Sequence, residues 1–324
     1  MESVAEELSR KRFRIFAWGF IGYTLLVIVW GAYVRATGSG AGCGKHWPLC
    51  NGEVIPRTEQ VETLIEFAHR LTSGILLILT CVLLVWAFRS FARGSRVRTF
   101  AVLTTLFMLV EALLGAGLVL FGLVADDDSI ARAWVMAFHL VNTCLLLACA
   151  ALTAWNAGEL TEVRTPRVRW AKALLISALA GTLILVASGA ITALGDTLFP
   201  VDTFSEGLTN DFSAEAHVLV RLRVYHPILA VLVSCLVLGA AFVCWQGAGA
   251  GAARLGILTG FLFLVQLTLG VFNLLLLAPV WLQMVHLLFA DLCWIALVLL
   301  ASVTLQRREP VRWVSETNLE LDRA

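Results

Sequence analysis

Six histidines occur in 324 residues, and four of them, His69, His139, His226 and His286, fall inside long apolar runs. An ionisable group in such a run is expensive and marks function by default. Imidazole is also an axial ligand of haem iron. Two imidazoles on facing helices at one depth would hold a single porphyrin from both sides, so four would make two haem sites. Taken singly, each histidine also fits as a satisfied polar residue of a helix interface. A tetrahedral zinc site is disfavoured, because no two of the four are close in sequence and no cysteine joins them. Covalent haem attachment would need Cys-x-x-Cys-His, which does not occur. His46 and His217 lie outside the runs and read as surface residues.

Glu66 stands three residues before His69, on the same helix face, so its carboxylate would sit beside the first site. It also fits as an acidic first-turn residue favoured by the helix dipole. Arg223 holds the corresponding place before His226, so one site could do chemistry while the other transfers electrons. Glu111 and Asp291 are further intramembrane acids without an obvious partner, and Gln266 stands where the second half would repeat Glu111. Cys43 and Cys50 bracket a Gly- and Pro-containing loop able to fold back to the ~5.5 Å Cα separation of a disulfide. The pair reads either as a loop staple or as a redox-active couple near the first site. Cys81, Cys144, Cys149, Cys235, Cys244 and Cys293 read as buried apolar fillers.

The elements that must position these residues follow from composition. Of the residues, 59% are hydrophobic and 15% charged, against ~25% charged in a soluble domain. That excludes a soluble enzyme, a disordered chain and a nucleic-acid binder, and leaves a polytopic membrane protein. Apolar runs long enough to span a bilayer fall at about 15–36, 66–88, 99–124, 132–155, 170–194, 217–245, 255–277 and 280–305. They are continuous rather than alternating, which excludes a β-barrel. The first run is too long for a cleavable signal. Basic residues collect on one side: Arg10 to Arg14, Arg89 to Arg98, Arg164 to Lys172, Arg254, and Arg307, Arg308, Arg312 and Arg323. Acidic residues, including Asp126 to Asp128, Asp196, Asp202, Glu206, Asp211 and Glu215, collect on the other. The positive-inside rule then puts both termini in the cytoplasm and the Cys43–Cys50 loop outside.

The chain also repeats itself. Gly31-Ala32-Tyr33 resembles Gly189-Ala190-Ile191, Leu109-Val110-Glu111 resembles Leu264-Val265-Gln266, His139 pairs with His286, and His69 with His226. The offsets are 158, 155, 147 and 157 residues. The reading is an all-α integral membrane fold of eight helices in two pseudo-symmetric four-helix bundles, residues 1–160 and 161–324. All four span histidines then lie ~15 Å or less below the outer surface. Haem propionates would point outward, toward Arg35, Arg70, Arg221 or Arg223.

Three segments together resemble the haem A synthases: Val34-Arg35-Ala36-Thr37-Gly38-Ser39-Gly40, the loop ending Trp47-Pro48-Leu49-Cys50-Asn51-Gly52, and Glu66-Phe67-Ala68-His69-Arg70. The type is the bacterial one with a cysteine pair, related to the mitochondrial oxidase-assembly synthases. The resemblance implies a bacterial inner-membrane enzyme that oxidises the C8 methyl of haem O to a formyl by successive hydroxylations, with water as oxygen source, giving haem A. It implies haem b on His226 and His286, substrate haem O between His69 and His139, Glu66 as the acting carboxylate, and a Cys43–Cys50 disulfide. Implied partners are haem O synthase, the oxidase that receives haem A, and membrane lipid; the oligomeric state is left open. Arg223-Val224-Tyr225-His226-Pro227 departs from the Glu-x-x-His-Arg pattern of the first half, which suits a cofactor site. Rival readings are a di-haem cytochrome b linked to quinol, a transporter built from parallel repeats, and a thiol oxidase using Cys43 and Cys50.

Overall fold

A computed structural model of the protein describes residues 4–158, 170–247 and 249–305. The basic positions Arg164, Arg167, Arg169, Arg307, Arg308, Arg312 and Arg323, and the boundary at 160/161, lie outside the described residues. The described chain runs α1 (Val4–Ala36), a 3-10 turn (Ser39–Ala41), α2 (Val61–Ser90), α3 (Arg96–Leu120), α4 (Ile130–Asn156), α5 (Ala171–Leu198), α6 (Phe204–Phe212), α7 (Val218–Leu222), α8 (Tyr225–Gly247), α9 (Gly249–Leu275) and α10 (Val280–Leu305). Eight stretches are long and apolar enough to cross a membrane, α7 and α8 together forming one of them. In hydrocarbon only such internally hydrogen-bonded helices leave no backbone group unpaired.

Helix ends are set by caps and breakers rather than by hydropathy, so several differ from the apolar runs. α1 and α2 begin before their runs because charged residues such as Arg10 and Glu62 continue a helix well. Ser95 caps α3 by accepting from Arg98 N, and Ser129 caps α4 by accepting from Arg132 N. The run at 217–245 is not one helix. Pro227 has no N–H for the Arg223 carbonyl, which accepts from His226 N at 3.2 Å instead, so the chain kinks between α7 and α8. Leu277 and Ala278, both at positive φ, turn the chain tightly between α9 and α10. The segment between the apolar runs at 170–194 and 217–245 contains a helix, α6, capped by Thr203.

α1 to α4 pack around one another, and so do α5, α8, α9 and α10. α4 lies against α5 and α10, and α1 against α10, so the two rings share a central seam. Trp294 of α10 donates to the Cys144 carbonyl of α4 across that seam (2.6 Å). Leu26, Ile78, Leu113, Ile184 and Phe261 stay exposed on outward faces, where lipid rather than water is the compatible neighbour. Cys144, Cys149, Cys244 and Cys293 are buried as expected, but Cys81 and Cys235 are exposed on such faces.

Lipid tails are as apolar as leucine, so the helices are held by close packing instead of by exclusion from water. α8 and α9 approach closely enough that a Cβ on Gly256 would meet the Ala241 carbonyl oxygen at 2.7 Å. Gly256→Ala should therefore destabilise the protein by ~1–3 kcal/mol, read as a lower thermal midpoint in detergent. Gly251→Ala, with open space at its Cβ, should leave the midpoint unchanged or raise it.

Candidate functional site

In the first half, Glu66, His69 and Arg70 share one face of α2 near its N-terminal end. Residues 37–60 fold back onto that end. A Cys43–Cys50 disulfide closes the loop, with both cysteines buried and their Cα atoms 4.4 Å apart. Glu66, 4% exposed, joins loop and helix. Its Oε2 accepts from Cys43 N (2.7 Å), and its Oε1 accepts from Arg70 Nε (3.1 Å) and Nη2 (2.5 Å). Arg70 also donates through Nη1 to the carbonyls of His46 and Leu49 (2.5 and 2.6 Å). Thr63 donates to the Gly42 carbonyl (2.7 Å). Gly42 itself lies against the α2 backbone, where a Cβ would be 2.5 Å from the Glu62 carbonyl. The loop is thus fastened to the helix one turn from His69.

The second half has no such loop. At the place equivalent to Glu66, Arg223 is buried and gathers two carboxylates: Nη1 donates to Asp196 (3.1 Å) and Nε to Asp211 (3.0 Å). Asp196 ends α5 and Asp211 lies in α6, so Arg223 pins the outer cap of this half. Burial raises the Asp211 carboxyl above its ordinary value although Arg223 opposes the shift. Of the four arginines expected near propionates, Arg35, Arg70 and Arg223 are paired within the protein. Arg35 crosses the seam, donating to the Ala193 carbonyl (2.6 Å), to Thr197 Oγ1 and to Gln283 Oε1 (2.8 Å). Arg221 is exposed.

The four span histidines are half-buried. His69 on α2 and His139 on α4 belong to one ring of helices, and His226 on α8 and His286 on α10 to the other. A Cβ added at Gly31 would meet His69 Cε1 at 2.8 Å, one at Gly189 would meet His226 Cε1 at 3.0 Å, and one at Gly270 would meet His286 Cε1 at 3.3 Å. Glycine on the neighbouring helix makes room for each of these three rings. The Nδ1 atoms of His69 and His286 are buried without a hydrogen-bond partner among the described residues, and His139 Nδ1 faces the Glu111 carboxylate. His226 Nδ1 lies 3.0 Å from Ser188 Oγ. Outer nitrogens held or enclosed, with ring edges accommodated by glycine, fit a pair of imidazoles holding one planar macrocycle in each half.

Glu111 has partners that the sequence left open: Asn142 Nδ2 donates to Oε2 (2.6 Å), Thr143 Oγ1 donates to Oε1, and His139 Nδ1 lies 3.2 Å from Oε1. Asn142 and Thr143 follow His139 by three and four residues, a spacing that could have flagged them. Asp291, 2% exposed on α10, keeps one oxygen without a partner among the described residues. His46 is exposed as expected. His217 is more than a surface residue: it caps α7 by accepting from Leu219 N (3.3 Å) and stacks on Phe199.

Eight long apolar helices among the described residues, with two histidines in each half, define a polytopic membrane protein. The chain belongs to the COX15-CtaA family of cytochrome oxidase assembly proteins, whose profile matches residues 14–298. It is 47% identical over 293 residues to a Thermus thermophilus protein named protoheme IX farnesyltransferase, a match covering 90% of this chain and 48% of that one. It is 33% identical over 181 residues to the haem A synthase of Exiguobacterium sibiricum, covering 56% of this chain and 59% of the relative. A 98-residue stretch is 45% identical to the haem A synthase of Halalkalibacterium halodurans, covering 30% and 33%. The chain spans about half the length of the Thermus relatives it matches.

Because Gly42 touches the α2 backbone, Gly42→Ala must push the disulfide loop off Glu66. A loss of ~1–3 kcal/mol is expected, measured as the thermal midpoint of the detergent-solubilised protein. Gly74→Ala, on the same helix with open space, is the control and should leave the midpoint in place.

Proposed function

We propose that this protein is a haem A synthase of the bacterial cell membrane. It oxidises the C8 methyl of haem O to a formyl group and so supplies haem A to terminal oxidases. The observation that carries the reading is the presence of two span histidines in each ring of helices, on a chain similar to proteins named haem A synthase. The first half, residues 1–160, takes substrate haem O between His69 and His139. The second, residues 161–324, holds haem b through His226 and His286. Both termini lie in the cytoplasm and the Cys43–Cys50 loop faces outward, in keeping with the basic and acidic sides of the sequence.

The overall chemistry balances with water. The methyl gains a hydroxyl from water and gives up two protons and two electrons. A second such round gives a gem-diol, which loses water to leave the formyl. Haem b supplies one-electron acceptance when bound. The protein's own residues bind, orient and place charge. His69 and His139 set the plane of the substrate. Glu66, clasped by Arg70 and the Cys43 amide, is a preorganised negative charge one turn from His69, where it opposes positive charge developing at the oxidised methyl or takes its proton. The disulfide loop keeps that carboxylate from swinging away.

Substrate comes from a farnesyl transfer to protohaem. The Thermus relative named for that transfer is about twice as long as the stretch matched here. A haem O synthase is therefore the neighbour expected for this protein.

Glu66→Gln keeps one acceptor for the amide or for Arg70 but loses the charge. It should retain haem and lower conversion by ~10²-fold or more, measured by haem extraction from cells that supply haem O. Conversion at the normal rate would remove Glu66 from the reaction. His226→Ala and His286→Ala should lose haem b from the pyridine haemochrome spectrum, whereas His69→Ala should keep it. Equal loss from all three would end the division between halves.

A further inference from the structure

The two halves treat their second histidine differently. In the first half Glu111 on α3 faces His139 on α4, with Oε1 3.2 Å from Nδ1. Gln266, the repeat equivalent of Glu111, faces His286 with its amide Nε2 3.2 Å from the ring Nε2. The rings also sit differently against equivalent glycines. A Cβ on Gly270 would be 3.3 Å from His286 Cε1, whereas one on Gly115, a turn beyond Glu111, would meet nothing within 4 Å. The His139 ring has left its glycine and lies toward the carboxylate. Glu111 is itself held, because Asn142 and Thr143 donate to its two oxygens. Asn142 is anchored further by donating to the Phe107 carbonyl (2.9 Å).

A carboxylate beside the outer nitrogen of a ligating imidazole fixes the ring and makes the inner nitrogen a stronger donor. An anion close to iron also favours the ferric state, which carries one more positive charge than the ferrous. Gln266 is neutral and lies against the other ring nitrogen of His286, so no anion stands at the outer nitrogen Nδ1 of that ring.

We infer that Glu111 is a positioning residue that holds His139 as the stronger donor, so that Glu111 and Gln266 give the first half the lower iron potential of the two. The inference rests on the haem reading above. Its consequence is directional. With haem iron held by His69 and His139 in the first half and by His226 and His286 in the second, the second would be the better one-electron acceptor of the two.

The test is a spectroscopic redox titration of the purified full-length protein, with His69→Ala and His226→Ala assigning each wave to a half. Glu111→Gln should raise the first-half potential by about a tenfold change in the ferric-to-ferrous ratio, ~59 mV for one electron, and leave the second-half wave in place. Glu111→Asp should restore most of the shift. Gln266→Glu should lower the second-half potential, and it carries the test independently if Glu111→Gln fails to fold. Haem content and thermal midpoint are recorded alongside, since a merely structural residue would move these and not the potential. Unmoved potentials in a haem-loaded Glu111→Gln or Gln266→Glu protein would overturn the inference alone. A wild-type protein without two bis-imidazole haem signals would overturn the haem reading and this inference with it.

Discussion

A polar side chain inside an apolar helix bundle must find its partner within the bundle, because lipid offers none. The arrangement of this protein follows from that requirement at four histidines. Each imidazole projects from one helix and is met by a neighbour: Gly31 against His69, Glu111 against His139, Ser188 against His226, Gln266 and Gly270 against His286. Those contacts set which helices lie side by side. They place the pairs α1–α2, α3–α4, α5–α8 and α9–α10 in each ring, and the small residues between them allow the close approach that packing in lipid needs.

On this repeated frame the two halves diverge through charge. The first uses a carboxylate, Glu66, to bind a disulfide loop to its outer end, while the second uses a guanidinium, Arg223, to bind α6 through two aspartates. Each is a buried charge neutralised by opposite charge or by backbone, since a lone buried ion would be prohibitive. The effect is two lids of different kind over equivalent sites, one covalently closed and carrying a carboxylate near histidine, the other held by ion pairs. Arg35 then ties the halves together from the seam. It bonds to the carbonyl of Ala193, its own repeat equivalent, so the tie sits where the two repeats meet.

Much of this was legible in the residues. Composition and apolar runs indicated eight helices, the 147- to 158-residue offsets indicated two like bundles, and the run at 280–305 coincides with α10. These features are local or periodic, and the physics of a bilayer reads them directly. Boundaries at the other helices were less legible. Hydropathy marks the apolar middle of a helix, whereas caps such as Ser95 and breakers such as Pro227 mark its ends. The side chains able to do chemistry were also legible, because a histidine or glutamate in a membrane run stands out against its surroundings.

The partners of those side chains were settled by tertiary structure. Glu111 had no visible neighbour until α3 lay against α4, and Arg35 could not be seen to bridge the halves until α1 met α5 and α10. The two aspartate partners of Arg223 could not be seen until α5 and α6 came together over it. Sequence by itself determined which residues are costly in a membrane and at what depth they sit, because cost and depth depend on residue type and position along a helix. The contacts that neutralise that cost depend on helix rotation and packing between segments more than a hundred residues apart, and only the folded bundle decided them.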